Sequence, residues 1–451
     1  MLQPFQLAPE PTPIRKRLLT RAARFSNIKP SRDCKGAFTA QEQDAKSTSS
    51  ENACSRARRG LPTNLFLTLN KSIFNLFISI HTMSLSELIH SRLQHGEPLT
   101  FTEFMHIALY NPQWGYYSGG LQKFGAQGDF VTAPELTPLF GYTLANQCQQ
   151  ILVEIANPVI LEFGAGSGRL CIDVLTRLEQ LDCLPVTYQI LEVSNNLRQR
   201  QKELIQAKIP HLAERIQWLD NWPQTAFAGI VLANEVLDAM PVHRFLQTDQ
   251  GIFESCIEEK NNQLHEVFNP CTDQRLLDYL KTALPTTLYP YYSEANLFID
   301  GWLEQCGQML TQGAVILLDY GFPRHEYYHS DRNQGTLMCH YRHQAHPSPL
   351  VHIGEQDITA HVDFTHVAEA AQAAGFHVAG YTNQAAFLLA NGLLSLLTEI
   401  TDNVSLINAQ QAVKQLVQPS EMGELFKVIA LTKNLEVDLT GFQLHDKRAS
   451  L

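Results

Sequence analysis

The sequence predicts an α/β protein whose central sheet is mostly parallel. Short apolar strands alternate with amphipathic helices over residues 158–245, a further apolar run occupies 314–318, and a glycine-rich turn separates the first strand of this region from its first helix. Such alternation is typical of a parallel sheet covered by helices on its faces. With 451 residues, 44% of them hydrophobic and 18% charged, the chain has room for one large domain with insertions, or for two domains.

The first 82 residues differ from the rest of the chain in composition. They hold 13 Lys and Arg against 5 Asp and Glu, whereas the whole chain has a net charge of −11. Low apolar content over 47–60 predicts a disordered basic extension. It is read either as a product of an upstream start assignment or as a mitochondrial transit peptide. The more apolar stretch 65–80 is too short and too interrupted by polar residues to predict a membrane span.

Residues 83–150 are predicted to form a helical N-terminal unit followed by a lid loop. Ser84 and Ser86 are suited to cap a first helix, and a second helix is predicted near 101–109. Glycines and polar residues over 121–135 predict a loop that folds over a ligand. Asp129 and Thr132 in this loop are predicted to contact that ligand.

The glycine turn narrows the class of ligand. Gly164, Gly166 and Gly168 alternate directly after the strand at 158–163. A dinucleotide site would place a glycine at position 169, where this chain has Arg169, and no phosphate-loop Lys follows. Alternate glycines are typical of Rossmann-like class I methyltransferases that use S-adenosyl-L-methionine (SAM), so the three glycines are predicted to contact SAM.

Polar residues end four successive predicted strands, and all are predicted to contact the cofactor. Glu162 ends the first strand beside the glycine turn. Glu192 ends the second, where a carboxylate binds ribose hydroxyls in Rossmann-type sites. Asp220 ends the third and is assigned to the adenine amino group. Asn234 ends the fourth and is assigned to the amino-acid end of SAM or to the substrate.

The remaining segments complete the predicted organisation. A long polar loop is expected over 322–362, followed by helices and a late strand near 425–431. The predicted parts after the N-terminal unit are a SAM-binding core at 151–245, an insertion at 246–310, the rest of the sheet with a substrate loop at 311–435, and a tail at 436–451.

Composition excludes several classes of function. The nine cysteines include no C-x-x-C pair, which favours reduced thiols in an intracellular protein over disulfides or a zinc ribbon. The acidic body disfavours nucleic-acid binding. The histidines at 340, 343 and 346 would need a helix to converge on a metal, and prolines at 347 and 349 oppose one, so no metal site is predicted.

The chain resembles the MidA-like family of SAM-dependent methyltransferases, which includes bacterial members and a mitochondrial complex I assembly factor. The resemblance covers about 85–432 and implies a Rossmann-like fold, SAM as cofactor and methylation of protein arginine. Bacterial-type residues in the glycine turn favour a cytoplasmic protein, with the mitochondrial matrix as the alternative. The matching blocks are 111–117, 128–135, 162–168, 233–242, 319–321, 335–337 and 354–364.

An arginine acceptor needs carboxylates, because the guanidinium group is a delocalised cation. Glu235 and Asp238 follow the fourth strand and are predicted to clamp the guanidinium and to accept its proton. His361, with Asp357 or Asp363, is a further candidate for proton transfer.

Three alternative functions stay open at this point. A SAM-binding assembly or scaffold module with little turnover would keep the same glycines. A nucleotide-dependent oxidoreductase is disfavoured by Arg169, and a methyltransferase acting on another acceptor is compatible with the motifs. The expected partner is an arginine-bearing protein.

Overall fold

A computed structural model of the chain describes residues 84–94, 96, 98–119, 132–285 and 289–451. Its helices are α1 (Leu85–Leu93), α2 (Phe101–Tyr110), α3 (Ala133–Leu136), α4 (Pro138–Leu152), α5 (Arg169–Gln180), α6 (Asn195–Lys208), α7 (Gln274–Ala283), α8 (Phe298–Met309), α9 (Arg324–Tyr327), α10 (Phe364–Ala373), α11 (Gln384–Ala390), α12 (Leu393–Thr398), α13 (Asn403–Val417) and α14 (Met422–Leu425).

Its strands are β1 (Leu99–Thr100), β2 (Val159–Phe163), β3 (Thr187–Leu191), β4 (Ile216–Leu219), β5 (Phe227–Asn234), β6 (His243–Thr248), β7 (Gly251–Lys260), β8 (Gln263–Pro270), β9 (Tyr291–Ala295), β10 (Leu310–Phe322), β11 (Met338–Tyr341), β12 (Gln344–His346), β13 (Asp357–Thr359), β14 (Val362–Asp363), β15 (His377–Asn383) and β16 (Phe426–Lys433).

The main sheet has the strand order β15-β16-β10-β5-β2-β3-β4, with β14 beside β10. Strands β4, β3, β2, β5 and β10 run parallel, whereas β16 lies antiparallel between β10 and β15. The predicted α/β fold with a mostly parallel sheet is therefore confirmed. The chain leaves β2 toward β4 and returns to β5 on the other side of β2. This reversal opens a crevice at the carboxyl ends of β2 and β5.

The strands of this sheet are buried on both faces. In β10, Ala314, Ile316 and Leu318 pack into one apolar core, and Val315 and Leu317 pack into the core on the opposite face. Side chains alternate between the two faces of a strand, so a sheet covered by helices on both sides selects apolar residues at every position. This is why the run at 314–318 is apolar throughout.

A second sheet of five antiparallel strands is inserted after β5. It contains β6, β7, β8 and β9, and β1 from the N-terminal part pairs with β7. The inserted strands run from His243 to Ala295. By contrast, α8 packs Ile299 and Leu303 into the core that contains Val315 and Leu317 of β10. The inserted sheet is therefore shorter than the segment 246–310 proposed from the sequence.

The N-terminal helices begin at residues suited to cap them. The side chains of Ser84 and Thr100 accept hydrogen bonds from the backbone N–H groups of Glu87 and Glu103. The side chains of these two glutamates in turn accept the backbone N–H groups of Ser84 and Thr100. Such reciprocal bonds satisfy backbone donors that a helix start leaves open. The apolar faces of these helices pack in a third core that also contains Ile358 of β13.

Two segments are more ordered than the sequence predicts. The segment 322–362 is not a single polar loop, because it contains α9 and the three-stranded sheet β12-β11-β13. In the tail, Phe442 is buried in the core that contains Ala314 and Ile316 of β10. Within the described residues, no helix is both long and apolar enough to cross a membrane.

Candidate active site

A cleft opens at the carboxyl ends of β2, β3 and β5, with about 1070 Å³ of empty space when its open mouth is included. Its walls bring together the glycine turn, Glu162, Glu192, Asn234, Glu235 and Asp238. Thr132 also lines the cleft, at the start of α3. The structure therefore gathers most of the sequence-predicted residues around one space.

The glycine turn has the backbone conformation that glycine permits. Gly164, Gly166 and Gly168 have φ values of 63°, 55° and 87°. A side chain is disfavoured at each of these angles. Gly168 is the N-cap of α5, and Arg169 and Leu170 of the first helical turn, whose backbone N–H groups have no partner within the helix, line the cleft.

Glu192 is held at the end of β3 by hydrogen bonds. Its Oε1 accepts the Ser194 N–H at 2.9 Å, and its Oε2 accepts Gln201 Nε2–H at 3.1 Å. Gln201 Nε2 also donates to the Gly166 carbonyl oxygen at 2.9 Å. One buried glutamine thus joins the carboxylate to the glycine turn. No sequence signal pointed to Gln201, which lies within an ordinary amphipathic helix.

Glu162 is almost completely buried between the sheet and the cleft. The Tyr188 hydroxyl donates to its Oε2 at 2.9 Å. Burial raises the pKa of Glu162 to about 8, despite this hydrogen bond. A nearby cation would favour its ionised form.

The residues after β5 form a turn that a buried carboxylate stabilises. Asp319 Oδ2 accepts the backbone N–H groups of Val236, Leu237 and Asp238 at 3.2, 2.9 and 3.3 Å. Glu235 has a φ of 54°, which is uncommon outside glycine. Asp319 ends the apolar run of β10 and lies in the block 319–321 of the family resemblance, but neither signal indicated that it holds this turn.

The Glu235 carboxyl group accepts hydrogen bonds from Asn234 Nδ2, at 3.1 Å, and from the Ala133 N–H at the start of α3. Burial, followed by the charge of Asp238, raises the pKa of Glu235 to about 8. The Asn234 Oδ1 atom is buried without a hydrogen-bond partner among the described residues. Both side chains line the cleft.

Asp238 lies deeper in the same wall, with 3% of its surface exposed. Its carboxyl group accepts a hydrogen bond from the Tyr320 hydroxyl, while Oδ1 has no hydrogen-bond partner among the described residues. Burial and the neighbouring Asp319 and Asp357 raise the pKa of Asp238 well above its ordinary value. No ion pair joins Asp238 or Glu235 to a Lys, Arg or His in the described part of the chain.

Four further cleft residues were not predicted to bind the cofactor or the acceptor. Tyr110, Tyr117, Tyr320 and Asp357 all line the space beside Asp238. The last three lie in blocks that carry the family resemblance, but nothing in the sequence showed that segments 240 residues apart meet.

Two assignments differ from the positions that the structure gives. Asp220 does not line the cleft, because its carboxylate is 84% exposed and pairs with Arg198. His361 does not line it either; its ring lies against Tyr320 and Phe322, with centroids 5.8 and 5.3 Å away. Burial lowers the pKa of His361 to about 4, so the ring is neutral near pH 7. Asp129 lies outside the described residues.

No group of His, Cys, Asp and Glu among the described residues has an arrangement that could hold a metal ion. The cleft does fit a nucleoside with a cationic tail. It offers backbone N–H groups at a glycine turn, a fixed carboxylate at the end of β3, and an unpartnered Asn234 oxygen.

Comparison with known proteins decides the class. A family model described as "Putative S-adenosyl-L-methionine-dependent methyltransferase" matches residues 143–382, more than half of the 451 residues. The chain belongs to this family. The methyltransferase is also similar to a solved structure from Burkholderia thailandensis, a "likely methyl transferase" bound to S-adenosyl-homocysteine. The two chains are 38% identical, with a TM-score of 0.77, over 87% of this chain and 100% of that one.

Curated relatives of the methyltransferase are named "Protein arginine methyltransferase NDUFAF7, mitochondrial". The Bos taurus protein is 28% identical over 78% of this chain and 83% of its own length. The Homo sapiens protein is 28% identical over 75% of this chain and 81% of its own length. The chain is thus a SAM-dependent methyltransferase, as the glycine spacing and the resemblance predicted.

Proposed function

We propose that this methyltransferase transfers the methyl group of SAM to an arginine side chain of a protein. The observation that carries the proposal is a pair of carboxyl groups, half-buried Glu235 and buried Asp238, in the cleft wall beside the glycine turn. Buried carboxyl groups without a cationic partner raise one another's pKa values, and a bound cation relieves that repulsion. The names of the relatives support the same acceptor.

SAM supplies a methyl group on a sulfonium centre. The residues around the cleft suit its separate parts. Glu192 is proposed to accept hydrogen bonds from the ribose hydroxyls, as a fixed carboxylate does at this position of Rossmann-type sites. Glu162 and Asn234 are proposed to bind the ammonium group, and Arg169, which also lines the cleft, the carboxylate. Asp220 has no part in this proposal.

Glu235 and Asp238 are proposed to orient the acceptor. A guanidinium group has five N–H donors in one plane, and two carboxylates can fix that plane with one terminal nitrogen toward the methyl carbon. Transfer forms a nitrogen–carbon bond, breaks the carbon–sulfur bond with its electron pair going to sulfur, and releases one proton. Asp238, whose Oδ1 has no hydrogen-bond partner among the described residues, is proposed to accept that proton.

The proposal is tested by supplying isotope-labelled methyl-SAM to a cell lysate with the purified protein. Mass spectrometry of the labelled protein is expected to locate the label on arginine nitrogen. Asp238→Asn should bind SAM within about twofold and lose about a hundredfold or more in transfer rate, because a proton acceptor is removed. Asp249→Asn, at an exposed turn between β6 and β7, is the matched control and should keep full transfer.

Label on lysine, on nucleic acid or on a small molecule would contradict the arginine assignment. No label at all, with SAM bound, would favour a scaffold with little turnover. The compartment stays a prediction: the relatives are named mitochondrial, and the basic segment 1–82 lies outside the described residues.

A further inference from the structure

Asp357 is a further buried carboxyl group in the wall of the cleft. It begins β13, has 1% of its surface exposed, and lines the same space as Glu235 and Asp238. It lies close enough to both to raise their pKa values. The proposed clamp of Glu235 and Asp238 does not use it, although it is part of the longest block that carries the family resemblance.

The Asp357 carboxyl group is positioned by two hydrogen bonds to one oxygen. Its Oδ1 accepts the Tyr117 hydroxyl at 2.8 Å and the Ile358 N–H at 3.0 Å. Burial, followed by the charge of Asp357, raises the pKa of Tyr117 well above its ordinary value. The hydroxyl therefore remains protonated and a donor to Asp357 at every physiological pH.

Two tyrosine rings flank this carboxyl group. Tyr110 and Tyr117 both line the cleft, and their ring centroids lie 5.5 Å apart. The Tyr110 hydroxyl donates to the Ala239 carbonyl oxygen at 2.9 Å, which ties the N-terminal helices to the turn after β5. Because Ile358 packs in the same core as these helices and the two rings, Asp357 and the rings lie in one continuous wall.

We infer that Asp357, positioned by Tyr117, is a third acceptor-binding carboxylate that makes the site selective for a planar cation. The inference rests on the proposed arginine acceptor. A second observation points to a ligand here: Asp238 Oδ1, on a side chain with 3% of its surface exposed, lines the cleft and has no hydrogen-bond partner among the described residues. Aromatic faces bind a delocalised planar cation such as guanidinium through cation–π contacts, and three carboxylates match its many donors.

The test uses two planar probes of similar shape, of which only one is a cation. In one, a guanidine is joined by a short alkyl linker to the 5′ carbon of adenosine; in the other, a urea replaces the guanidine. Calorimetry gives the dissociation constant of each probe, and their ratio measures recognition of the positive charge. S-adenosyl-homocysteine, measured in parallel, reports on the nucleoside part of the site.

The wild-type protein is expected to prefer the guanidine probe by about tenfold or more, as charge-assisted hydrogen bonds require. Asp357→Asn should lower this preference about tenfold and leave the affinity for S-adenosyl-homocysteine within twofold. Tyr117→Phe should lower the preference for the guanidine probe by a smaller factor. The matched control is Tyr279→Phe, which removes a similar tyrosine–aspartate bond (2.9 Å, to Asp363) outside the cleft and should not change the preference.

An unchanged preference in Asp357→Asn would overturn the inference. If that variant fails to bind S-adenosyl-homocysteine, the Tyr117→Phe variant decides. An unchanged preference for the guanidine probe in Tyr117→Phe would then overturn the inference as well. A wild-type protein that binds both probes equally would instead contradict the arginine acceptor itself, so the two failures are distinguishable.

Discussion

The acidic side chains around the cleft suit a bound ligand but destabilise the ligand-free protein. Glu235 and Asp238 are buried beside each other and beside Asp357, and repulsion adds to the cost of burying each charge. A core built for stability would pair such groups with cations or replace them with apolar residues. Their persistence in one wall is best explained by a cationic ligand that completes the charge balance.

Arg169 offers a sharp test of how the cofactor is oriented. It starts α5, lines the cleft, and its Nε is buried without a hydrogen-bond partner among the described residues. Arg169→Met should weaken binding of S-adenosyl-homocysteine about tenfold, because a charge-assisted bond to the carboxylate is lost. Binding of 5′-methylthioadenosine, which lacks the amino-acid part, should change less than twofold. Equal losses of affinity for both ligands in calorimetry would show that Arg169 stabilises the glycine turn and does not bind the carboxylate of the cofactor.

Gly166 is predicted to be irreplaceable for SAM binding. Its φ of 55° is a conformation that a β-branched residue adopts only with strain of about 1–2 kcal/mol, and Gly166 lines the cleft. Gly166→Val should abolish measurable binding of SAM in calorimetry. Gly375→Val is the matched control, since Gly375 has a φ of 84° with open space around it. The control should lose some stability and bind SAM normally; retained binding in Gly166→Val would remove the turn from the cofactor site.

At the scale of the elements, the site depends on contacts between segments distant in sequence. Asp319, at the end of β10, holds the turn that follows β5 by accepting three of its backbone N–H groups. The start of α3 donates the Ala133 N–H to Glu235. The acceptor side of the cleft is thus assembled from at least three elements, whereas the glycine turn is one continuous segment.

Removal of the Asp319 carboxylate should disturb the turn. Asp319→Ala leaves three buried backbone donors without their acceptor, which costs about 1–3 kcal/mol for each donor that stays unsatisfied. The expected result is a lower urea midpoint, together with loss of methyl transfer. Asp402→Ala is the control, because Asp402 caps the exposed start of α13. It should lower stability slightly and keep transfer; full transfer in Asp319→Ala would show that the turn holds its shape without this cap.

The sequence predicted the donor half of the site better than the acceptor half, and the reason is physical. Gly164, Gly166 and Glu192 carry local signals, since a glycine turn and a strand end are set by neighbours in the chain. Asp220 carried the same local signal, yet its carboxylate pairs with Arg198 in solvent. The pairing of Tyr117 with Asp357 depends on how the N-terminal helices pack against β13, which no local pattern encodes.

At the scale of the whole molecule, the parallel core was predictable and the added sheets were not. Apolar runs that end in polar residues define β2, β3, β5 and β10, because a strand covered on both faces must be apolar throughout. The inserted antiparallel sheet and the small sheet in 322–362 have half-exposed strands with mixed polarity. Their pairing is decided by register between strands, and β1 joins the inserted sheet from about 150 residues earlier in the chain.

The stability of the whole protein is predicted to fall as pH rises from about 5 to 8. Burial raises the pKa of Glu162 and of Glu235 from 4.5 to about 8. Between these values the folded protein holds protons that the unfolded chain has released. Each rise in pH therefore favours the unfolded chain, until both states are ionised above about pH 8.

Urea unfolding from pH 5 to 9 measures this effect. Glu235→Gln should show a shallower fall than the wild-type protein, because one of the raised groups is gone, and Asp249→Asn should follow the wild type. The guanidine probe should stabilise the wild type more at pH 8 than at pH 6, because a cation binds the ionised carboxylates in preference to the protonated ones. A stability that rises over this range, or stabilisation by the probe that does not depend on pH, would mean that these carboxyl groups are already ionised and balanced in the free protein.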